Sequence, residues 1–295
     1  MVDTGWYTQE SLHAVQEGLH ELGLQLTDIA TIVVTHVHPD HFGLAGKIKE
    51  LSPHTRLLAH KWEWALIESR YIKFADLQRQ MGVLLRRHGV PEPMVPAMET
   101  ASLPVMEFVT VTMPDEALYG GEIIHTGRYD LEVIWTPGHS AGHICLYEPT
   151  NGLLFSGDHI LPRITPNVSY HVQSGDNPLG DFLYSLRKLE NLPVTRVLPA
   201  HEHVFSDLPG RIQEILEHHE RRKVEMLRLI LAHPRTSYDI SSQIAWDIPD
   251  LAWEEFPPQL QRIAITETIA HLESMRWEGK IERTEQGGLA LYRAV

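Results

Sequence analysis

His36-Val37-His38-Pro39-Asp40-His41 places four metal-capable side chains within six residues, directly after the apolar run Ile32-Val33-Val34-Thr35. A run that short and β-branched reads as a buried strand, so the ligand-type residues stand in the loop at its end. Neutral imidazoles and a carboxylate suit borderline divalent cations such as zinc, and alternating positions on an extended loop splay toward two separate ions. The stretch is built to hold more than one metal.

Working outward, the same arrangement recurs. Thr136-Pro137-Gly138-His139-Ser140-Ala141-Gly142-His143 follows the strand-like Leu131-Glu132-Val133-Ile134-Trp135, and its Pro and Gly enforce a turn that presents His139 at a strand end. Asp158 ends the apolar run Leu153-Leu154-Phe155-Ser156-Gly157, and His201 follows Val197-Leu198-Pro199-Ala200. Of the 19 histidines, spacing thus selects His36, His38, His41, His139 and His201. Ligand-type residues at successive strand ends are what one sheet edge converging on a single site produces. His143 is open between a supporting role beside the site and an ordinary strand histidine, and it is not counted among the ligands.

These motifs, in this order, resemble the metallo-β-lactamase superfamily over about the first 205 residues. The resemblance implies an α/β fold, an αββα sandwich carrying two divalent metal ions, zinc first and iron or manganese as alternatives. It further implies that His36, His38 and His139 bind one ion, that Asp40, His41 and His201 bind the other, and that Asp158 bridges them. His38 stands where flavodiiron-type members carry Glu, and Cys145 lies in a strand interior, unlike the cysteine ligand of certain β-lactamases. Hydroxyacylglutathione hydrolases share the Thr-Pro-Gly-His turn but end in a different, helical domain.

Three features place the chain within that superfamily. Val2-Asp3-Thr4-Gly5 matches an apolar-Asp-Thr-Gly turn that normally follows two or three N-terminal strands, so those strands are expected to be missing here and the exposed sheet edge to be covered, as in a homodimer. Residues 61–118 are expected to form a helical cap insertion in a catalytic domain spanning 1–208; Lys61–Gln80 has helical character, with Trp62, Trp64, Tyr71 and Phe74 either lining an apolar pocket or packing the cap down. Residues 209–295 carry helical patterns over Arg211–Leu231, Ile240–Trp246 and Gln259–Trp277, then a hairpin from Lys280-Ile281-Glu282-Arg283 to Leu289-Ala290-Leu291-Tyr292. Three helices and a hairpin resemble a winged helix, and the whole resembles the lactamase-beta-like branch, which includes endoribonucleases and bacterial hydrolases.

Charge argues against nucleic acid. The chain has a net charge of −14, and Ser206 to Val295 carries 11 Lys and Arg against 15 Asp and Glu. Nucleic-acid binding rests on phosphate neutralisation, and Arg262 and Arg276 on the third helix are offset by Glu267 and Glu273. The tail reads as a packing or dimerisation module. A single cysteine, Cys145 in an apolar stretch, excludes an internal disulfide framework and lacks the basic neighbour of a reactive thiol. No run approaches the ~18 apolar residues of a membrane helix and the start lacks a signal-peptide pattern, so the expected compartment is the cytoplasm.

The resemblance therefore implies a dinuclear metal-dependent hydrolase, in which a metal-bridging hydroxide attacks a small ester, thioester, lactone or phosphoester and Asp40 orients that hydroxide. A metal-dependent endoribonuclease is one alternative and a catalytically impaired dimerising scaffold another. The loop after Asp158 is expected to rim the cleft, with Tyr170 and His171 as candidate hydrogen-bond donors to substrate.

Overall fold

The computed structural model describes residues 1–246 and 251–295. Strands β1 (Thr31–Val34), β2 (Arg56–His60) and β3 (Glu116–Leu118) form a parallel sheet in that order. Strands β4 (Ile123–His125), β5 (Asp130–Trp135), β6 (Ile144–Glu148), β7 (Leu153–Gly157) and β8 (Arg196–Pro199) form a second, antiparallel except for the β7–β8 pair. Side chains alternate between faces along a strand, and here the alternation assigns each apolar residue to a layer. Val33, Leu58, Val133 and Leu146 meet between the sheets. Ile32, Val34, Leu57 and Ala59 point the other way, with Leu12 of helix α1 (Gln9–Glu21) and Ile48, after α2 (Pro39–Phe42), on α3 (Ala45–Leu51). Cys145 and Leu154 likewise turn outward, onto Phe182 and Leu186 of a later helix. The layers are helix, sheet, sheet, helix.

The range expected to form a cap, 61–118, is helical at its start and not at its end. Helices α4 (Lys61–Ile67), α5 (Phe74–Arg87) and α6 (Val95–Thr100) occupy it, joined by a π-helical turn at Glu68–Ile72 and closed by a 3-10 segment, Leu103–Phe108. The last residues of the expected 61–118 range are instead β3, whose Ala117 pairs with Ala59 of β2. Helix α7 (Pro178–Leu189) covers the second sheet. At the other edge, the Val33 N–H donates to the Met1 carbonyl at 2.9 Å and the Asp3 N–H to the Val33 carbonyl at 3.0 Å, so residues 1–3 run along β1.

Beyond the sandwich come α8 (Leu208–Ile230), α9 (Ser237–Ser241), α10 (Pro258–Trp277) and the hairpin β9 (Ile281–Gln286) to β10 (Leu289–Ala294). Gly287 and Gly288, at φ 60° and 83°, supply the two left-handed positions a tight hairpin turn requires. The second helix starts before the expected Ile240, because Thr236 and Asp239 form a reciprocal capping box; residues 247–250 of this stretch lie outside the described residues. Helix α10 is far from a free recognition helix. Ile265 and Ile269 pack with Met81, Leu85, Val95 and Met98 of the cap, while Leu272 and Met275 pack with Met226, Ile240 and Tyr292. Near its C-terminal end the buried Glu273 accepts hydrogen bonds from Arg276 Nε (2.7 Å), Arg283 Nη1 (2.6 Å) and the Tyr292 hydroxyl (2.7 Å). The cap and the C-terminal segment are therefore one packed unit over the sandwich.

Candidate metal centre

All seven expected ligands converge. His36 follows β1, His139 lies in the β5–β6 turn, Asp158 follows β7 and His201 follows β8. The hexapeptide is extended only through His38; Pro39 then opens α2, which carries Asp40 and His41 on a helical turn rather than an extended loop. Nε2 of His36, Nδ1 of His38 and Nε2 of His139 form a triangle with sides of 2.8, 3.0 and 3.2 Å. A second group joins Asp40, His41 and His201: His201 Nε2 is 3.3 Å and His41 Nε2 3.7 Å from Asp40 Oδ2. Asp158 lies between the groups, with Oδ2 at 3.4 Å from His41 and 3.7 Å from His139, and Oδ1 at 3.3 Å from His201.

Hydrogen bonds behind the ligands decide which nitrogen faces the site. Thr35 donates its hydroxyl to Asp3 Oδ2 at 2.9 Å, so it accepts from His36 Nδ1 at 3.1 Å and leaves a lone pair on His36 Nε2. His139 Nδ1 donates to the Asn167 carbonyl at 2.7 Å, and His41 Nδ1 to Asp3 Oδ2 at 2.8 Å. Each therefore offers Nε2 inward, the arrangement that orients histidine ligands in metal sites. Burial pushes the pKa of His36, His38 and His139 down, keeping these rings neutral.

The second group behaves differently. Burial opposes charge on His41, but Asp158 and Asp3 raise it to about 10; the neighbouring Asp158 and Asp40 carboxylates raise His201 to about 10 as well. Asp158 is buried, yet His201 and His41 hold it well below the usual carboxylate range. Without a cation the carboxylates retain protons on these imidazoles; a cation binding there replaces those protons. His41 Nε2 and Asp158 Oδ1 are buried with no hydrogen-bond partner, and three sets of ligand atoms lie within 4.8 Å of one another. The residues present fit a pair of divalent ions.

Several supporting residues stand behind the ligands, and Glu63 among them carries no signal in the sequence. Asp3, at φ 53°, holds both Thr35 and His41; its Asp-Thr-Gly setting is legible, its role is not. Glu63 of α4 is fully buried and braces two ligand loops, accepting from the Val37 N–H and the Gly142 N–H at 2.8 Å each, and from the Ser140 hydroxyl. A side chain on Gly142 would collide with it, which is why that position is glycine. His143 is a supporting residue: Nδ1 meets Thr136 Oγ1 at 2.8 Å, and Nε2 accepts from the Asp158 N–H at 3.1 Å. Gly157, at φ 52°, has no room for a Cβ against that ring. Cys145 is buried in β6, its thiol pushed up to about 12 by burial, and is no nucleophile.

Beside the centre lies a cavity of about 320 Å³, bordered by His38 and Asp40 below and by cap residues and α10 above. His171 lines it and burial lowers its pKa to about 3, so the ring is neutral. Tyr170 does not line it. Its ring packs among apolar residues from both the sandwich and the cap, and its N–H donates to the Thr266 carbonyl of α10 at 2.9 Å.

A helix–sheet–sheet–helix sandwich with a histidine and aspartate cluster at its strand ends is the architecture of the metallo-beta-lactamase fold. The sequence model of the metallo-beta-lactamase superfamily matches residues 1–201, and the chain belongs to that superfamily. The probable metallo-hydrolase YqjP of Bacillus subtilis (strain 168) is 25% identical over 303 residues, covering 100% of this chain and 90% of the relative. The beta-lactamase-like protein 2 homolog of Caenorhabditis elegans is 33% identical over 120 residues, 40% of this chain and 38% of its own. Among solved structures, metallo-beta-lactamase family protein TTHA1429 from Thermus thermophilus superposes with a TM-score of 0.81 at 32% identity, over 100% of this chain and 89% of that one. No helix among the described residues is long and apolar enough to cross a membrane.

Proposed function

We propose that the protein is a dinuclear metal-dependent hydrolase of small esters, thioesters, lactones or phosphoesters. The observation that carries this reading is Asp158, whose two oxygens face both histidine groups while one of them lacks any hydrogen-bond partner. His36, His38 and His139 would hold one ion, Asp40, His41 and His201 the other, with Asp158 shared. The imidazole and carboxylate donors suit zinc, and iron or manganese would fit the same set. Divalent ions bound there supply Lewis acidity and bring the pKa of water toward neutrality. Asp40 borders both the centre and the cavity, so its carboxylate can accept a hydrogen bond from the attacking water and orient it toward a substrate in the cavity. Asp3, Glu63 and His143 keep the ligand loops in place.

The buried setting of α10 supports a packing role for residues 209–295, a winged-helix-like segment that roofs the cavity. Arg262 faces the cavity and Arg276 is paired with Glu273, so neither supplies a basic strip for nucleic acid. Metal-reconstituted protein and its Asp40→Ala variant, assayed on aryl ester, lactone, thioester and phosphodiester substrates, test the reading. Turnover of at least one class, falling ~100-fold or more in the variant, is expected. Equal rates in both proteins would contradict it.

A further inference from the structure

The cavity carries an electrostatic feature that the metal centre does not explain. Arg70, on the π-helical turn after α4, and Arg262, on α10, both line it. Arg70 makes neither a hydrogen bond nor an ion pair among the described residues. Arg262 is fixed by donating from Nη1 to the Met98 carbonyl at 3.0 Å and from Nη2 to Ser102 Oγ at 2.5 Å, yet among the described residues no carboxylate forms an ion pair with it. Arg70 and Arg262 are near enough that their repulsion, added to burial, lowers the Arg262 pKa to about 10. The Glu63 carboxylate lies within electrostatic reach of Arg70, but among the described residues neither guanidinium has a carboxylate in an ion pair, which leaves their N–H forks able to take an anion.

The carboxylates nearby do not serve. Glu99 borders the cavity but is paired with Arg86 at 3.0 Å, Asp40 belongs to the metal centre, and both oxygens of Glu63 are occupied by the ligand loops. In a chain of net charge −14, a cavity with two guanidinium groups that form no ion pair among the described residues runs against the overall composition. The rest of the wall is largely apolar, with Tyr71, Phe74, Leu77, Met81, Met106 and Ile263.

We infer that the Arg70 and Arg262 guanidinium groups recognise an anionic group, carboxylate or phosphate, at the end of an apolar acyl or aryl substrate whose scissile bond lies at the metal centre. Guanidinium forks match both anions through paired N–H donors, and the apolar wall takes the body between anion and reacting group. The inference rests on the hydrolase reading for the position of the scissile bond, but not for the anion site itself.

A test on binding keeps the two apart. Calorimetry on the metal-loaded protein would use the N-phenyl monoamide of suberic acid, its primary amide and its phosphonate-terminated counterpart, none of which carries an ester. The acid or the phosphonate, whichever is the better match, should bind roughly 10- to 100-fold tighter than the primary amide. That preference should fall toward one in Arg70→Gln and in Arg262→Gln. Arg262 also ties α10 to the cap, so Arg70→Gln, which removes no hydrogen bond, decides the matter if Arg262→Gln fails to fold. Equal binding of anionic and neutral probes, binding of none of them, or a preference that survives in Arg70→Gln and so belongs to the metals, would overturn the inference. Anion-selective binding in a protein that hydrolyses nothing in the ester and phosphodiester panel would instead leave the anion site standing and remove the hydrolase reading.

Discussion

The floor of the site and its roof are built by opposite strategies. Every floor ligand stands within a few residues of a strand end, and three of them are oriented by a hydrogen bond from behind: Thr35 beside His36, Asn167 behind His139, Asp3 beneath His41. The roof has no such local code. Arg70 and Arg262 reach one cavity only because α5, α6 and α10 share a core of Met81, Leu85, Met98, Ile265 and Ile269. The metal-ligand residues thus stand on segments of the sandwich, and the cavity beside them is closed by a packing arrangement of distant helices.

That contrast can be broken from either side. The largest expected effect is on the roof. Glu273→Ala leaves the Tyr292 hydroxyl and two arginines without their buried acceptor, and should lower stability by about 3 kcal/mol in urea unfolding. Metal content of the folded fraction should be unchanged; metal loss in proportion to destabilisation would show that floor and roof are not separable. On the floor, Glu63→Ala removes the acceptor shared by the Val37 and Gly142 N–H groups. Metal affinity or turnover should drop ~10- to 100-fold, as when the partners behind metal ligands are removed. An unchanged affinity would make Glu63 a mere packing residue.

The gentlest effect is that of pH on the roof. Burial lowers the pKa of His88 to about 3, against 6.5 for an unperturbed imidazole. The folded state therefore binds fewer protons than the unfolded one between those values. The stability this neutral ring contributes is fully present above pH 6.5 and is lost as pH falls toward 3. His88→Leu should flatten the decline in stability between pH 6.5 and 5, where the unfolded imidazole titrates; a decline equal to that of the parent would remove His88 from the account.

Much of the floor is legible in sequence because its signal is local. Five histidines and two aspartates at strand ends announce themselves by spacing, and the β-branched run before His36 forms the expected strand. What sequence misses is tertiary. Glu63 lies 26 residues from Val37 and 79 from Gly142, and nothing around it distinguishes it from a surface helix glutamate. Tyr170 and His171 sit in one loop, yet backbone pairing with Thr266 of α10 accompanies burial of the tyrosine ring among apolar residues, whereas the histidine lines the cavity. Arg262 reads in sequence only as one charge on the third helix of the tail, offset by nearby glutamates; the packing of α10 onto the cap is what brings it to the cavity. The end of the cap is misjudged for a related reason: β3 is three residues long, Glu116–Leu118, too short for alternation to show.

The central claim is that two groups of ligands hold two ions and share Asp158. Its most direct test is the metal content of the protein purified without added salts and then loaded with zinc, measured by elemental analysis alongside the His201→Ala variant. The account predicts two equivalents per chain in the parent and one in the variant, with the His36, His38 and His139 group still filled. One equivalent or none in the parent, or equal content in both proteins, would contradict it.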